Sequence, residues 1–289
     1  LIIGSGGAGL RTAIELHDNG ITDIQIIGKC KKRDAHTKYA QGGMNAAIAS
    51  LDPQDSWEVH FADTIVDGGY INDPQSVELL CKHAPDAIKE LDAWGCPFAK
   101  EENGAISQRF FGAATYRRSC FSGSETGAVI LNTLVDQIEK RNIPCGEEIY
   151  IWSLLTNKNG AVNGALGLDM RSGEILTYEA KIVVLATGGH SRMFNRCSSH
   201  FWENNGDGIA LAHDAGAKFM DMEMFQFHPS GMTYPEQMTG HLVTEAVRGE
   251  GGILLNSEGE RFMERYAPEK LELSARDVVA RANYMESEA

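Results

Sequence analysis

The chain is 289 residues long, 43% apolar and 23% charged, with a formal net charge of -14 at neutral pH. This is ample material for a large globular core, and the acidic balance excludes a nucleic-acid footprint, which needs clustered Lys and Arg against phosphates. No uninterrupted apolar run reaches the roughly 18 residues that span a bilayer. The six cysteines (Cys30, Cys81, Cys96, Cys120, Cys145, Cys197) lack a CxxC pair, so no metal site is expected and reduced, intracellular thiols are.

The chain opens as strand, glycine turn, helix and strand: Leu1 to Ile3, Gly4 to Gly9, a helix through Leu16 capped by Gly20, then Ile24 to Ile27. Gly4, Gly6 and Gly9 stand in GxGxxG spacing, with Gly7 among them. The first allows a tight turn, the second lets backbone approach a pyrophosphate, and the third lets helix pack on strand. Phosphate then sits at the helix N-terminus, where N–H groups point outward. The second strand ends in Gly28 and Lys29, with no Asp or Glu to hold a ribose, which argues against a plain NAD enzyme.

Two helices are expected between Ser56 and Trp94, with Asp73 as cap and Pro74 in the first turn. Gln108 to Ser124 reads as a polar loop, and a helix from Thr126 to Lys140 is expected to bury Val129, Ile130, Leu134 and Ile138. Short strands from Ile149 to Tyr178, with turn signals at 157–160 and at Ser172 and Gly173, predict a β meander. Ile182 to Leu185 has the all-apolar pattern of a strand covered on both faces of a parallel sheet. It ends at Ala186, Thr187, Gly188 and Gly189, and a helix follows near Gly208 to Ala215. Met, Phe and His then become frequent, which puts a domain boundary near Ala217. Because Leu1 already lies inside a strand-like run and Tyr284 to Ala289 closes no motif, a longer natural protein is expected.

The run His36, Thr37, Lys38, Tyr39, Ala40, Gln41, Gly42, Gly43 carries a histidine before a glycine pair able to lie flat against a planar ring. It resembles the segment of succinate dehydrogenase and fumarate reductase flavoproteins in which the histidine is bonded to the isoalloxazine of FAD. Lys29 stands at the family's distance before it. The resemblance implies covalent FAD through His36, a substituent that raises the flavin potential enough to oxidise an unactivated CH2–CH2. L-aspartate oxidases share the glycine pair without the histidine.

Further blocks carry the same resemblance: Arg109 to Gly112, Arg118 to Thr126, Ala186 to Gly189, Phe225 to Pro229, Leu242 to Gly252, Gly259 to Pro268, and Ser274 to Arg281. It implies cofactor contacts at Gly4, Gly6, Gly7, Gly9, Lys29, His36, Thr37, Gln41, Gly42, Gly43, Ala186, Thr187, Gly188 and Asp207. Substrate contacts are implied at His228, Thr244, Phe111 and Gly42, and acid–base roles at Arg276, Arg248 and Glu245. From residue type alone, Phe111 as plain core is an equal reading, and Gly188–Gly189 as an ordinary strand-to-turn glycine pair also stands open. Arginine rarely gives up its proton, so the implied role requires immediate replacement through Arg248 and Glu245 in a desolvated site.

The implied fold is α/β: a Rossmann-like FAD-binding domain over residues 1–217 with an inserted meander, then part of an α+β capping domain over 218–289. The implied activity interconverts succinate and fumarate, a C4 dicarboxylate pair, and passes electrons to an iron–sulfur subunit held by a membrane anchor. The implied location is the cytoplasm or the inner face of a respiratory membrane. An L-aspartate oxidase and a flavin-binding module without turnover are the alternatives.

Overall fold

The computed structural model describes residues 1–199 and 202–288; Ala289, at the end of the motif-free stretch noted above, lies outside them. In chain order the strands and helices are β1 (Ile2–Ile3), α1 (Gly7–Asp18), β2 (Ile26–Ile27), β3 (Met44–Asn45), α2 (Trp57–Asp67), α3 (Pro74–Ala93), β4 (Gln108–Arg109), β5 (Ser119–Cys120) and α4 (Thr126–Lys140). They continue as β6 (Cys145–Gly146), β7 (Ile149–Thr156), β8 (Val162–Asp169), β9 (Ile175–Glu179), β10 (Val184–Leu185), α5 (Asp207–Asp214), α6 (Glu245–Gly249), α7 (Met263–Tyr266) and α8 (Arg276–Glu288). The chain forms two compact units, Leu1–Ala40 with Gly127–Met224, and Gln41–Thr126 with Phe225–Ala289. The long-range grouping takes residues 41–126 away from the N-terminal segment and puts the last crossing between units at Met224.

In the first unit a parallel sheet runs in the order β10-β1-β2-β6, with Ile2 opposite Val184 and Ile26. Ile3 and Ile27 pack with Ile149, Ile151, Ala165 and Leu211 into an apolar cluster that joins this sheet to the β7-β8-β9 meander and to α5. The α/β class and the meander are as expected. Two local expectations change. Ile182 is 72% exposed, and the apolar run forms a short strand, Val184–Leu185, whose first two expected residues lie outside it. On α4 the buried apolar stripe is Leu131, Leu134, Val135 and Ile138, spaced i, i+3, i+4, i+7; Val129 and Ile130 lie at its edge.

In the second unit α2 is capped by Ser56, whose hydroxyl accepts the Val59 N–H. The α3 helix is capped by Asp73 with Pro74 at its start, as its sequence signals require. The expected loop 108–124 contains β4 and β5, which pair antiparallel with β3 in the order β3-β5-β4. Arg118 lies inside this segment with 1% exposure. Its guanidinium bonds Asp55 at 2.8 Å and Asp63 at 2.9 Å, two opposite charges that make burial tolerable. Phe262, Met263, Val279 and Ala282 form a separate cluster between α7 and α8.

Candidate active site

The expected residues divide between the two units. In the first, Gly4 has φ +119°, and a Cβ there or at Gly9 would collide with the carbonyl of Ala186 or of Gly4 respectively. These two positions therefore admit glycine for backbone reasons. No side chain caps α1 at Gly6, and the Gly7 N–H donates to Thr37 Oγ1 at 3.0 Å. The helix thus begins with peptide N–H groups at an uncapped glycine turn, a geometry suited to an anionic phosphate. His36 and Thr37 begin a single 3-10 turn, and the backbone N–H of His36 is held by Glu203. The Glu203 carboxyl is pushed up by burial first, while the His36 bond and Lys29 oppose the shift.

Lys29, two residues past β2, forms an ion pair with Asp207, the first residue of α5. Both line a cavity of about 570 Å³ with Tyr150 and Trp202. Gly188 has φ +73°, and the Gly189 N–H donates to Asn204 Oδ1 at 3.0 Å; Thr187 fills the space beside Gly208. Ala186, Thr187 and Gly188 are thereby fixed next to the Gly4 turn.

In the second unit the Phe111 ring occupies the space a Gly42 side chain would need: a Cβ at Gly42 would stand 2.6 Å from Phe111 Cζ. Phe111 is half-buried, not core. Gly43 has φ +136°, with Ser119 and Cys120 against its missing side chain. Arg109, which the sequence offered only as part of a motif, donates to the Gly42 carbonyl at 2.6 Å and stacks 4.1 Å from the Phe121 ring centre. It clamps the Gln41–Gly42 backbone, and its pairing could not be read from residue spacing.

Glu245, 2% exposed, is the hub. Oε1 accepts the Gly112 N–H at 2.7 Å, and Oε2 accepts from Arg276 Nε at 2.8 Å. Arg276 Nη1 donates to Gln226 Oε1 at 2.8 Å, so the Gln of the Phe225–Pro229 motif orients the guanidinium. Arg248 is 4% exposed; Nη1 donates to the Glu272 carbonyl at 2.6 Å and Nη2 stands 3.7 Å from Glu245 Oε2. Burial, and then the like charge of Arg276, lowers the proton affinity of Arg248. Arg276 is the first residue of α8.

Beside this group His228 is held near a pKa of about 4, chiefly by burial and then by Arg276, with Glu245 opposing. It is neutral at pH 7. Its Nδ1 accepts the Ser230 N–H at 3.3 Å, which leaves the proton on Nε2 as a donor. Thr244 caps α6 by accepting the Ala246 N–H at 3.4 Å, and its hydroxyl proton remains available. The second unit thus joins Glu245, Arg248, Arg276, Gln226 and His228 in one polar group. Among the described residues no His, Cys, Asp or Glu cluster could hold a metal ion.

A model of the family described as the FAD binding domain matches residues 1–289. The chain belongs to that family. This FAD-binding domain is 48% identical over 286 residues to a fumarate reductase (CoM/CoB) subunit of Methanothermobacter marburgensis, covering 99% of this chain and 52% of that protein. It is 40% identical over 296 residues to the mitochondrial succinate dehydrogenase [ubiquinone] flavoprotein subunit of Oryza sativa subsp. japonica, covering 99% and 46%. Among solved structures it resembles E. coli quinol fumarate reductase FrdA, with a TM-score of 0.92 and 32% identity over 99% of this chain and 50% of that one. The chain spans about half the length of these relatives. Their agreement matches the resemblance read from the motifs.

Proposed function

We propose that this FAD-binding domain is the flavoprotein part of an enzyme that interconverts succinate and fumarate. The observation that carries the proposal is the Arg276–Glu245 bond at 2.8 Å, with Gln226 on the other side of the guanidinium and buried Arg248 behind the carboxylate. A surface ion pair needs none of this enclosure; a proton donor that must be recharged at once does.

FAD fits the first unit: the Gly4–Gly9 turn, Thr37, Lys29 and Asp207 would hold it, and the missing acid after β2 removes the usual NAD ribose partner. When bound, it supplies two-electron hydride chemistry. The chain's own residues do the rest. His228 Nε2–H and Thr244 Oγ–H donate to a substrate carboxylate, Phe111 and Gly42 give a flat apolar wall, and Arg276 gives a proton to fumarate carbon or takes one from succinate. Glu245 and Arg248 return the lost proton to Arg276 and keep it aimed.

The relatives' names agree on succinate or fumarate and differ in the electron partner, CoM/CoB in one and ubiquinone in another. We therefore assign the dicarboxylate to this chain, and electron transfer to an iron–sulfur partner on a respiratory membrane as the route that needs no cluster ligands here. Among the described residues no helix is long and apolar enough to cross a membrane. A covalent bond through His36 belongs to the same proposal.

The test is anaerobic titration of the full-length protein with succinate, following the flavin band. Bleaching that fumarate reverses is expected; intact FAD that succinate does not bleach would sink the proposal and favour a module without turnover. Acid-denatured protein that stays yellow, and loses its colour in His36→Ser, checks the covalent bond and separates the enzyme from an L-aspartate oxidase.

A further inference from the structure

The second unit contains a cavity of about 600 Å³ between α2, α3 and the segments 43–45 and 112–114. Gly112, on its wall, donates its N–H to Glu245, so a single residue stands between the cavity and the Arg276–Glu245 pair. Its titratable lining is His60, Asp63 and Asp67 from α2, His83 from α3, and Arg118. Beyond the lining, the charges of Asp277 and Arg276 of α8, Glu245 of α6, and Lys270 act on Asp67.

Most of these groups are committed. Both Asp63 oxygens accept from Thr115, at 2.8 and 2.6 Å, and Asp63 pairs with Arg118 as well. His60 is kept neutral, at about 4, by burial first and then by Arg118. Glu245 uses one oxygen on Gly112 and the other on Arg276. Asp67 differs. It is the last residue of α2, is exposed to solvent on one side, lines the cavity, and takes part in no ion pair among the described residues. The negative end of the α2 dipole and the nearby Asp277 both favour its protonated form. Partial burial, ahead of Asp277, pushes its carboxyl above the usual range.

We infer that Asp67 is the solvent-side proton donor and acceptor that recharges the Arg276–Glu245 pair through this cavity. The inference rests on the proposed dicarboxylate reaction and deepens it. For each fumarate reduced, one proton leaves Arg276 for carbon. Asp67 releases one toward Arg276 and takes another from water, so only N–H and O–H bonds change along the route. Asp67 touches no substrate; it acts through Arg276 and is a relay residue.

The experiment is Asp67→Asn in the full-length enzyme, assayed for fumarate reduction with reduced viologen at equal FAD content. The expected result is a kcat about tenfold lower, an unchanged KM for fumarate, a larger solvent deuterium isotope effect, and partial rescue by imidazole buffer as a diffusible acid. Asp67→Glu is expected to stay near wild type. Wild-type kcat and isotope effect in Asp67→Asn would overturn the inference, and so would a lower kcat with an unchanged isotope effect and no rescue. If Asp67→Asn fails to retain FAD, Asp67→Ser with the imidazole titration makes the same measurement. Wild-type protein that does not reduce fumarate would instead sink the parent proposal, which keeps the two failures distinct.

Discussion

Replacing Gln226 with Glu tests whether Arg276 must part with a proton or merely holds one. Gln226 Oε1 accepts from Arg276 Nη1 at 2.8 Å, so Glu at that position keeps the acceptor and adds a charge. At an effective dielectric constant near 20, an added charge about 4 Å away stabilises the guanidinium by roughly 4 kcal/mol. The Arg276 side chain is 32% exposed, so solvent screening reduces this to about 1–2 kcal/mol. If proton release limits turnover, kcat falls about 5- to 30-fold, while KM for fumarate stays close to wild type. The guanidinium holds the new carboxyl below the ordinary Glu range near 4.3, so it stays charged and the deficit persists from pH 8 down to pH 5. Gln226→Ala also slows turnover, by loosening the guanidinium, and adds no charge. The assay is steady-state fumarate reduction by the full-length enzyme from pH 5 to 8. A Gln226→Glu enzyme with wild-type kcat across this range would refute the reasoning.

Three more outcomes follow from particular contacts. Gly4→Ala adds a Cβ against the Ala186 carbonyl at φ +119°, so FAD content after purification is expected to drop sharply; full occupancy would contradict the cradle. Arg118→Met leaves Asp55 and Asp63 without their shared cation, and thermal denaturation is expected to show a loss of about 3–5 kcal/mol. His228 and His60 each titrate near 4 in the folded chain against 6.5 when unperturbed. Folding therefore favours their neutral forms: their contribution is complete above about pH 6.5 and is lost as pH falls toward 4. Urea denaturation between pH 7 and 4.5 checks the sign, and stability rising toward the acid end would contradict it.

The parts of this molecule legible in its sequence are those set by short-range rules. The glycine turn and α1, the Asp73–Pro74 start of α3, the span of α4 and the meander each follow from caps, turns or periodicity within a few residues. The α4 stripe was misphased because Val129 and Ile130 are as apolar as the residues one turn on, and only the neighbours decide which face is buried. Contacts across long sequence separations were invisible. Residues 41–126 group with 225–289, β3 finds β5 some seventy residues away, and Arg118 in an apparent polar loop becomes core once Asp55 and Asp63 reach it. At the candidate site the motifs supplied Arg276, Glu245, Arg248 and His228. Spacing could not supply Arg109 on the Gly42 carbonyl, Gln226 on Arg276, or Asp67 on the cavity that Gly112 also lines, since each juxtaposition exists only in three dimensions.

The central claim is that Arg276, held by Glu245 and Gln226, protonates a C4 dicarboxylate. Rapid mixing of dithionite-reduced full-length protein with fumarate, under anaerobic conditions, measures that step directly through the return of the oxidised flavin band. Fast return is expected in wild type and a rate at least about a hundredfold lower in Arg276→Gln, with fumarate still bound. Equal rates in the two proteins would contradict it.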